Sequence, residues 1–321
     1  MTTPPASRLV HALAIAASVV IGAMTAVQSR INGELGQRIG DGYLAAVISF
    51  GSGLVILVIA MLAWKRGRTG LRLIAQALRS RSMPWWYLVG GAAGAFLVLS
   101  QGLTAAVLGV ALFTVAIVSG QTISGLIIDR QGMGTMAPKT VTVSRLAGSL
   151  LALAAVVWAV SAQITGDIPL WMLVMPFLAG AGIGWQQAVN GQVRTVADSA
   201  LTATFNNFVV GTVVLVVAFA VHGAVAGWPT GLPSEPYLYL GGSIGVIFIA
   251  SAAIVVRIVG VLLLGLGTIA GQLIMSLALD FALPVPGHEI VWTTVAGTLL
   301  TLVAVAIAAT PSRALRSSSS A

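Results

Sequence analysis

Gln28-Ser29-Arg30-Ile31-Asn32-Gly33 and Gln186-Gln187-Ala188-Val189-Asn190-Gly191 stand 158 residues apart in a chain of 321. Held at that shift without a gap, Ser49-Phe50 and Gly53 fall on Asn207-Phe208 and Gly211, and nine of the 31 positions from 28 to 58 are identical. At a shift of 151, Gly90-Gly91-x-x-Gly94 falls on Gly241-Gly242-x-x-Gly245. That register continues to Gly120-Gln121 and Asp129, which fall on Gly271-Gln272 and Asp280, with 12 of the 40 positions from 90 to 129 identical. Apolar composition aligns Leu, Val, Ala and Gly by chance, but not Gln, Asn, Phe and Asp at fixed spacing. The chain is a tandem repeat, and the nature of its unit decides the fold.

Composition identifies the unit. Hydrophobic residues make up 58% of the chain and charged ones only 7%, with a mean hydropathy of +1.01. A soluble domain carries about 25% charged residues, so a cytosolic enzyme, a secreted disulfide scaffold and a disordered protein are excluded. With no Cys there is no thiolate chemistry and no Cys-ligated metal. His11, His222 and His288 are too scattered for a metal site. A bilayer core of about 30 Å needs about 20 apolar residues per helix. Ten such runs are legible, near 13–31, 44–64, 85–103, 108–128, 141–161, 170–189, 201–221, 237–256, 258–279 and 290–309. Turn residues separate several of them, as in Gly40-Asp41-Gly42, Gly166-Asp167 and Pro284-Val285-Pro286. The alternation of a membrane barrel is absent, so the sequence predicts an all-α bundle of ten transmembrane helices. The first run could be read as a signal peptide, but it is long for one, and its polar motif has a mate later in the chain.

Each repeat then holds five spans, 1–165 and 166–310, followed by a short Ser-rich tail, 311–321, read as disordered. Five is odd, so the second half enters the membrane with the opposite orientation. Two inverted halves are an architecture of secondary transporters, because they can exchange inward-open and outward-open states. Charge placement supports a membrane orientation. With the N-terminus in the cytoplasm, the inner loops collect 14 Lys and Arg and the outer ones only Arg30 and Arg38. Both termini are therefore expected inside. The pI of 11.1 records orientation rather than a nucleic-acid partner. Trp64, Trp85, Trp86, Trp158, Trp171 and Trp292 fall near span ends, as an aromatic belt does.

Polar residues within spans are the candidate site. Gln28 and Asn32 are four apart, as are Gln186 and Asn190, so each pair lies on one helix face. An amide in hydrocarbon must find a partner or face a wet path. One reading makes these residues, with Gln121, Gln272, Asn206 and Asn207, substrate contacts or gates. The other makes them interhelical hydrogen-bond partners, or caps where helices 1 and 6 end near Asn-Gly. Trp185, beside Gln186, either packs or stacks on a substrate. Asp129, Asp280 and Glu34 are the carboxylates available for proton coupling, against an ordinary role as solvated helix-end groups or, for Glu34, a surface pair with Arg30 four residues earlier. No span shows a charge clearly at its midpoint. Gly90-Gly91-x-x-Gly94, Gly241-Gly242-x-x-Gly245 and Gly267-x-x-x-Gly271 read as close-packing faces. There is no P-loop, H-E-x-x-H or G-x-S-x-G motif, so no enzyme, cofactor or metal is expected.

The pattern Gly22-x-x-x-x-x-Gln28-x-x-x-Asn32-Gly33, then Ala45-x-x-x-Ser49-Phe50-x-x-Gly53, and later Gly120-Gln121 with Asp129, resembles the YdcZ family, formerly DUF606. This is a branch of the drug/metabolite transporter superfamily, and the resemblance runs from about 12 to 309, through both halves. It implies a fused pair of five-helix units forming an inner-membrane exporter, with no substrate specified. The first helix has no embedded Glu of the kind used by the small multidrug members, so their proton–drug antiport is not carried over. The partners are then the bilayer and a small polar or amphipathic organic molecule, moved by alternating access; a homodimer stays open. The alternative is a non-transporting membrane scaffold or sensor.

Overall fold

The computed structural model describes residues 8–131, 142–161, 169–284 and 292–309, and each regular element there is helical. The tail 311–321 and the side chains of Asp129, Arg145 and Arg257 lie outside the described residues. The first two helices, α1 (Arg8–Ile39) and α2 (Gly42–Ala63), meet at a turn where Gly40 takes φ +73°. Asp41 caps α2, its carboxylate accepting from the N–H groups of Tyr43 and Leu44 at 2.8 and 2.9 Å. A short helix, α3 (Lys65–Arg79), precedes a composite third span. That span runs through a 3-10 turn (Trp85–Gly90), α4 (Gly91–Ser100), a π segment (Gln101–Ala105) and α5 (Ala106–Leu108). Gly109, at φ +76°, separates it from α6 (Val110–Gln131). The remaining helices are α7 (Val143–Ser161), α8 (Leu170–Ala197), α9 (Ala200–Ala226), α10 (Gly241–Ala282) and α11 (Trp292–Ala309). Among the described residues, seven helices are long and apolar enough to cross a membrane, and three further apolar helices are shorter: Leu146–Ala155, Gly241–Ala252 and Trp292–Ile307.

Three expectations change. Helices α1 and α8 do not end near Asn-Gly; they continue to Ile39 and Ala197, eight residues past the ends expected at 31 and 189. Gly33 serves there as a contact surface, with Ala105 and Ala106 against it, rather than as a stop. The loop after α2 contains the amphipathic α3, which apolar run-counting passed over. The spans expected at 237–256 and 258–279 form one helical run, α10, which contains no proline to break its backbone ladder.

That run is not straight. Gln28 donates to the carbonyl of Gly241, while Gly22 packs against Thr268. Gly22 and Gln28 are about 9 Å apart along α1, whereas a straight helix would hold Gly241 and Thr268 about 40 Å apart. Both contacts hold only if α10 doubles back between them, so that two arms lie against α1.

Matched positions of the halves make matched contacts. A Cβ on Gly22 would run into the Thr268 carbonyl, and one on Gly271 into that of Val19. At the corresponding positions, Gly180 abuts the Ile117 carbonyl and Gly120 that of Phe177. Lipid tails give helices no hydrophobic reason to associate, so such close backbone approach is what joins them. The N-caps match as well: Ser199 stands where Asp41 stands, and its Oγ accepts from Thr202 N at 3.2 Å. Between α2 and α9 the mates meet each other. The rings of Phe50 and Phe208 lie 4.8 Å apart, Gly53 packs against Phe208, and Gly211 against Phe50. Position 50 faces 211 while 53 faces 208, so the two helices run antiparallel. The largest apolar core surrounds α6, where Leu112, Phe113, Val115 and Val118 are fully buried against Leu173 of α8 and Leu273 of α10.

Candidate functional site

The polar face of α1 meets the start of α10 and the π segment. Gln28 is buried, and its Nε2 donates to the Gly241 carbonyl at 2.7 Å. Asn32 is fully buried and donates through Nδ2 to Oε1 of Gln101 at 2.7 Å; Gln101 donates in turn to Ser29 Oγ at 3.0 Å. The other amide atom of Asn32, Oδ1, and the hydroxyl of Ser49 are shut off from solvent without a hydrogen-bond partner. Both face Gly241, which has no side chain to displace them. A buried polar atom left unpaired costs about 1–3 kcal/mol, so this side of the cluster is held at an energetic disadvantage.

The second half builds the same arrangement with different chemistry. Gln186 Nε2 and Asn190 Nδ2 both donate to Oδ1 of Asn207, at 2.8 and 3.0 Å. Asn206 Nδ2 donates to the Leu88 carbonyl at 2.9 Å. Gly90 and Gly94 lie against Asn190 and Gln186, as Gly241 and Gly245 lie against Asn32 and Gln28. Each polar pair therefore sits on the first helix of one half and fits against the third helix of the other. Asn206 and Asn207 lie in the second turn of α9, whose cap is Ser199, so capping is not their role.

The other candidates separate from these clusters. Gln272 is buried, with its backbone N–H beside Gly22, and Gln121 is half-buried next to the Gly120 contact. Neither hydrogen-bonds to the two amide groups. Trp185 lines a crevice of about 300 Å³ between α6 and α8, shared with Ile123, Ile127, Gln131 and Phe177. Asp280 is buried and caps α6 from another helix: its carboxylate accepts from Val110 N at 2.9 Å and Ala111 N at 2.7 Å. It stands at the positive end of a helix dipole, where an anion is stabilised. Glu34 takes part in a surface network instead of pairing with Arg30. It accepts from Arg38 at 2.7 Å and from the phenol of Tyr237 at 2.7 Å. Arg38 also binds Glu235. The bond to the Glu34 carboxylate pushes the Tyr237 phenol above its ordinary range.

Two stretches of the chain, 13–158 and 171–307, match the family described as "Putative inner membrane exporter, YdcZ". The chain belongs to this family. Its two matches correspond to the two repeats, so this YdcZ-family protein carries the family unit twice. No curated protein matches it. A crystal structure of another protein shares its fold, at 18% identity, with a TM-score of 0.55 and coverage of 94% of this chain and 97% of that one. Within the YdcZ pattern, Gln28 and Asn32 meet Gly241 of the other half, Gly33 packs on Ala105 and Ala106 of its own half, and Ser49-Phe50 with Gly53 falls on the α2–α9 crossing.

Sequence reasoning missed Gln101, which is fully buried and completes the Asn32 cluster. Gln101 has no polar mate in the other half: at a shift of 151 it falls on Ala252. An amide within an apolar run was the available signal.

Proposed function

We propose that this YdcZ-family chain is a secondary exporter moving a small polar or amphipathic organic molecule by alternating access. Its units are two inverted five-helix halves, 1–165 and 166–310, with ten crossings in total and both termini cytoplasmic. The observation that carries the reading is the antiparallel meeting of mates at Phe50/Gly211 and Gly53/Phe208. Helices related in that way enter the bilayer from opposite sides, and units so related can trade states. Seven long and three shorter apolar helices are compatible with ten crossings. In this reading the amide pairs are latches: Gln28 and Asn32 on one side of the bundle, Gln186 and Asn190 on the other. Each would release the third helix of the opposite half in turn.

A second reading, a non-transporting scaffold, is favoured by one observation: the amides are paired between helices rather than arrayed along a cavity. Flux in proteoliposomes, screened over small organic solutes with and without a pH gradient, separates the two. Gln28→Ala and Gln186→Ala are each expected to abolish flux in reconstituted protein. Unaltered flux in both variants removes the latch assignment, and no flux of any solute in wild type favours the scaffold.

A further inference from the structure

The register between the halves falls from 158 to 151 somewhere between residues 58 and 90, so the first half holds seven residues more there than the second. Seven residues are about two helical turns, and α3 occupies this place. The extra segment is chemically distinct. Between Trp64 and Trp86 stand Lys65, Arg66, Arg68, Arg72, Arg79 and Arg81 with no acid, whereas 216–241 in the second half has no Lys or Arg and one acid, Glu235.

At 100° per residue, Lys65, Arg68, Arg72 and Arg79 fall within an arc of about 60° on α3. Gly67, Gly70, Ile74 and Ala77 are buried on the opposite side. That buried side rests on the other half, across the turn joining α8 to α9. Thr202 Oγ1 donates to the Gly67 carbonyl at 2.9 Å, and Gly70 abuts Thr202 and Ala197. Two cations are used locally. Arg66 pairs with Asp198 at 3.1 Å, and Arg68 reaches the Met61 and Leu62 carbonyls at the end of α2. Lys65, Arg72 and Arg79 are exposed and have no carboxylate partner among the described residues. Only Trp64 separates α3 from the apolar α2, so the helix begins where the bilayer ends. Trp64 and Trp85 are 62% and 70% exposed, and Leu71 projects beside the cationic stripe at 40%. Such amphipathic aromatic rings settle at headgroup depth.

We infer that the outer stripe of α3 binds the headgroups of anionic phospholipids in the adjoining leaflet. The helix is glued to the protein by its small-residue side, and its cations face the layer where lipid phosphates lie. A cationic stripe without local acids, flanked by exposed Trp and continuous with a membrane helix, is complementary to that negative surface. The inference needs only the membrane location and is independent of export.

The test reconstitutes the full chain in phosphatidylcholine vesicles containing trace spin-labelled phosphatidylglycerol or spin-labelled phosphatidylcholine. The motionally restricted fraction of each probe gives the selectivity. Phosphatidylglycerol should be favoured about fivefold at low salt, with the preference fading as salt is raised. Lys65→Gln, Arg72→Gln and Arg79→Gln together should bring it close to parity, whereas Arg72→Lys with Arg79→Lys should keep it. Parity in wild type, an unchanged preference in the triple Gln variant, or full displacement by soluble glycerol phosphate would overturn the inference. If the triple variant does not fold, a wild-type preference indifferent to salt overturns it equally.

Discussion

Single residues divide into those that join helices and those that terminate them. Asp280 is of the second kind, because its carboxylate holds the first N–H groups of α6 while remaining buried. Asp280→Ala is expected to lower stability by about 1–2 kcal/mol, read as a lower unfolding midpoint in micelles. An unshifted midpoint would remove the cap from the account of α6. The sequence offered Asp280 as a coupling group or a solvated helix end; its capping role depends on a contact 170 positions away in the chain, which residue spacing does not show. Gln28, Asn32, Gln186 and Asn190 were legible as a paired set because the repeat displays them twice. Of their side-chain partners, Asn207 was legible and Gln101 was not, since the mate of Gln101 is the apolar Ala252.

At the scale of elements, hydropathy located apolar segments well and their ends poorly. Helices α1 and α8 both outrun their apolar cores by the same eight residues. Their final turns mix buried positions such as Asn32, Leu35, Gln192 and Val193 with exposed polar ones such as Gln37, Arg38 and Thr195, a pattern that a hydropathy run does not register. The fold-back of α10 is open to direct measurement, and the absence of native Cys makes the labelling specific. Ile247 and Ile274 are exposed on the two arms. Spin labels on Ile247→Cys and Ile274→Cys should lie less than about 30 Å apart by pulsed electron resonance, against about 40 Å for a straight helix. A distance near the longer value would refute two arms. In the first half the corresponding break is visible as Gly109 at φ +76°; its mate Gly260 lies within the continuous run. The same residue type therefore does not dictate the same local geometry.

For the whole molecule, the repeat was the most informative feature of the sequence, and the matched glycine contacts are its structural counterpart. Inversion itself predicts that the loops after α2 and after α9 face opposite sides of the membrane. In sealed, oriented vesicles, a membrane-impermeant thiol reagent should reach Ser80→Cys from one face only and Gly231→Cys from the other. Labelling of both from one face would rule out inverted halves. How the halves interlock was not legible, because a repeat specifies two like units without saying which helix of one touches which of the other. The contacts show exchange: α1 lies against α10, and α8 against α4 and α6. This has a consequence for biosynthesis. Gly22 leaves the ribosome roughly 250 residues before Thr268, its partner, an interval of about ten seconds to a minute at ordinary rates of synthesis. During that time α1 waits in the bilayer with Asn32 able to reach Gln101 of its own half but with Gln28 lacking its α10 partner. The first helix made is thus among the last to be locked, and a chain released before α10 is complete cannot close its own first half.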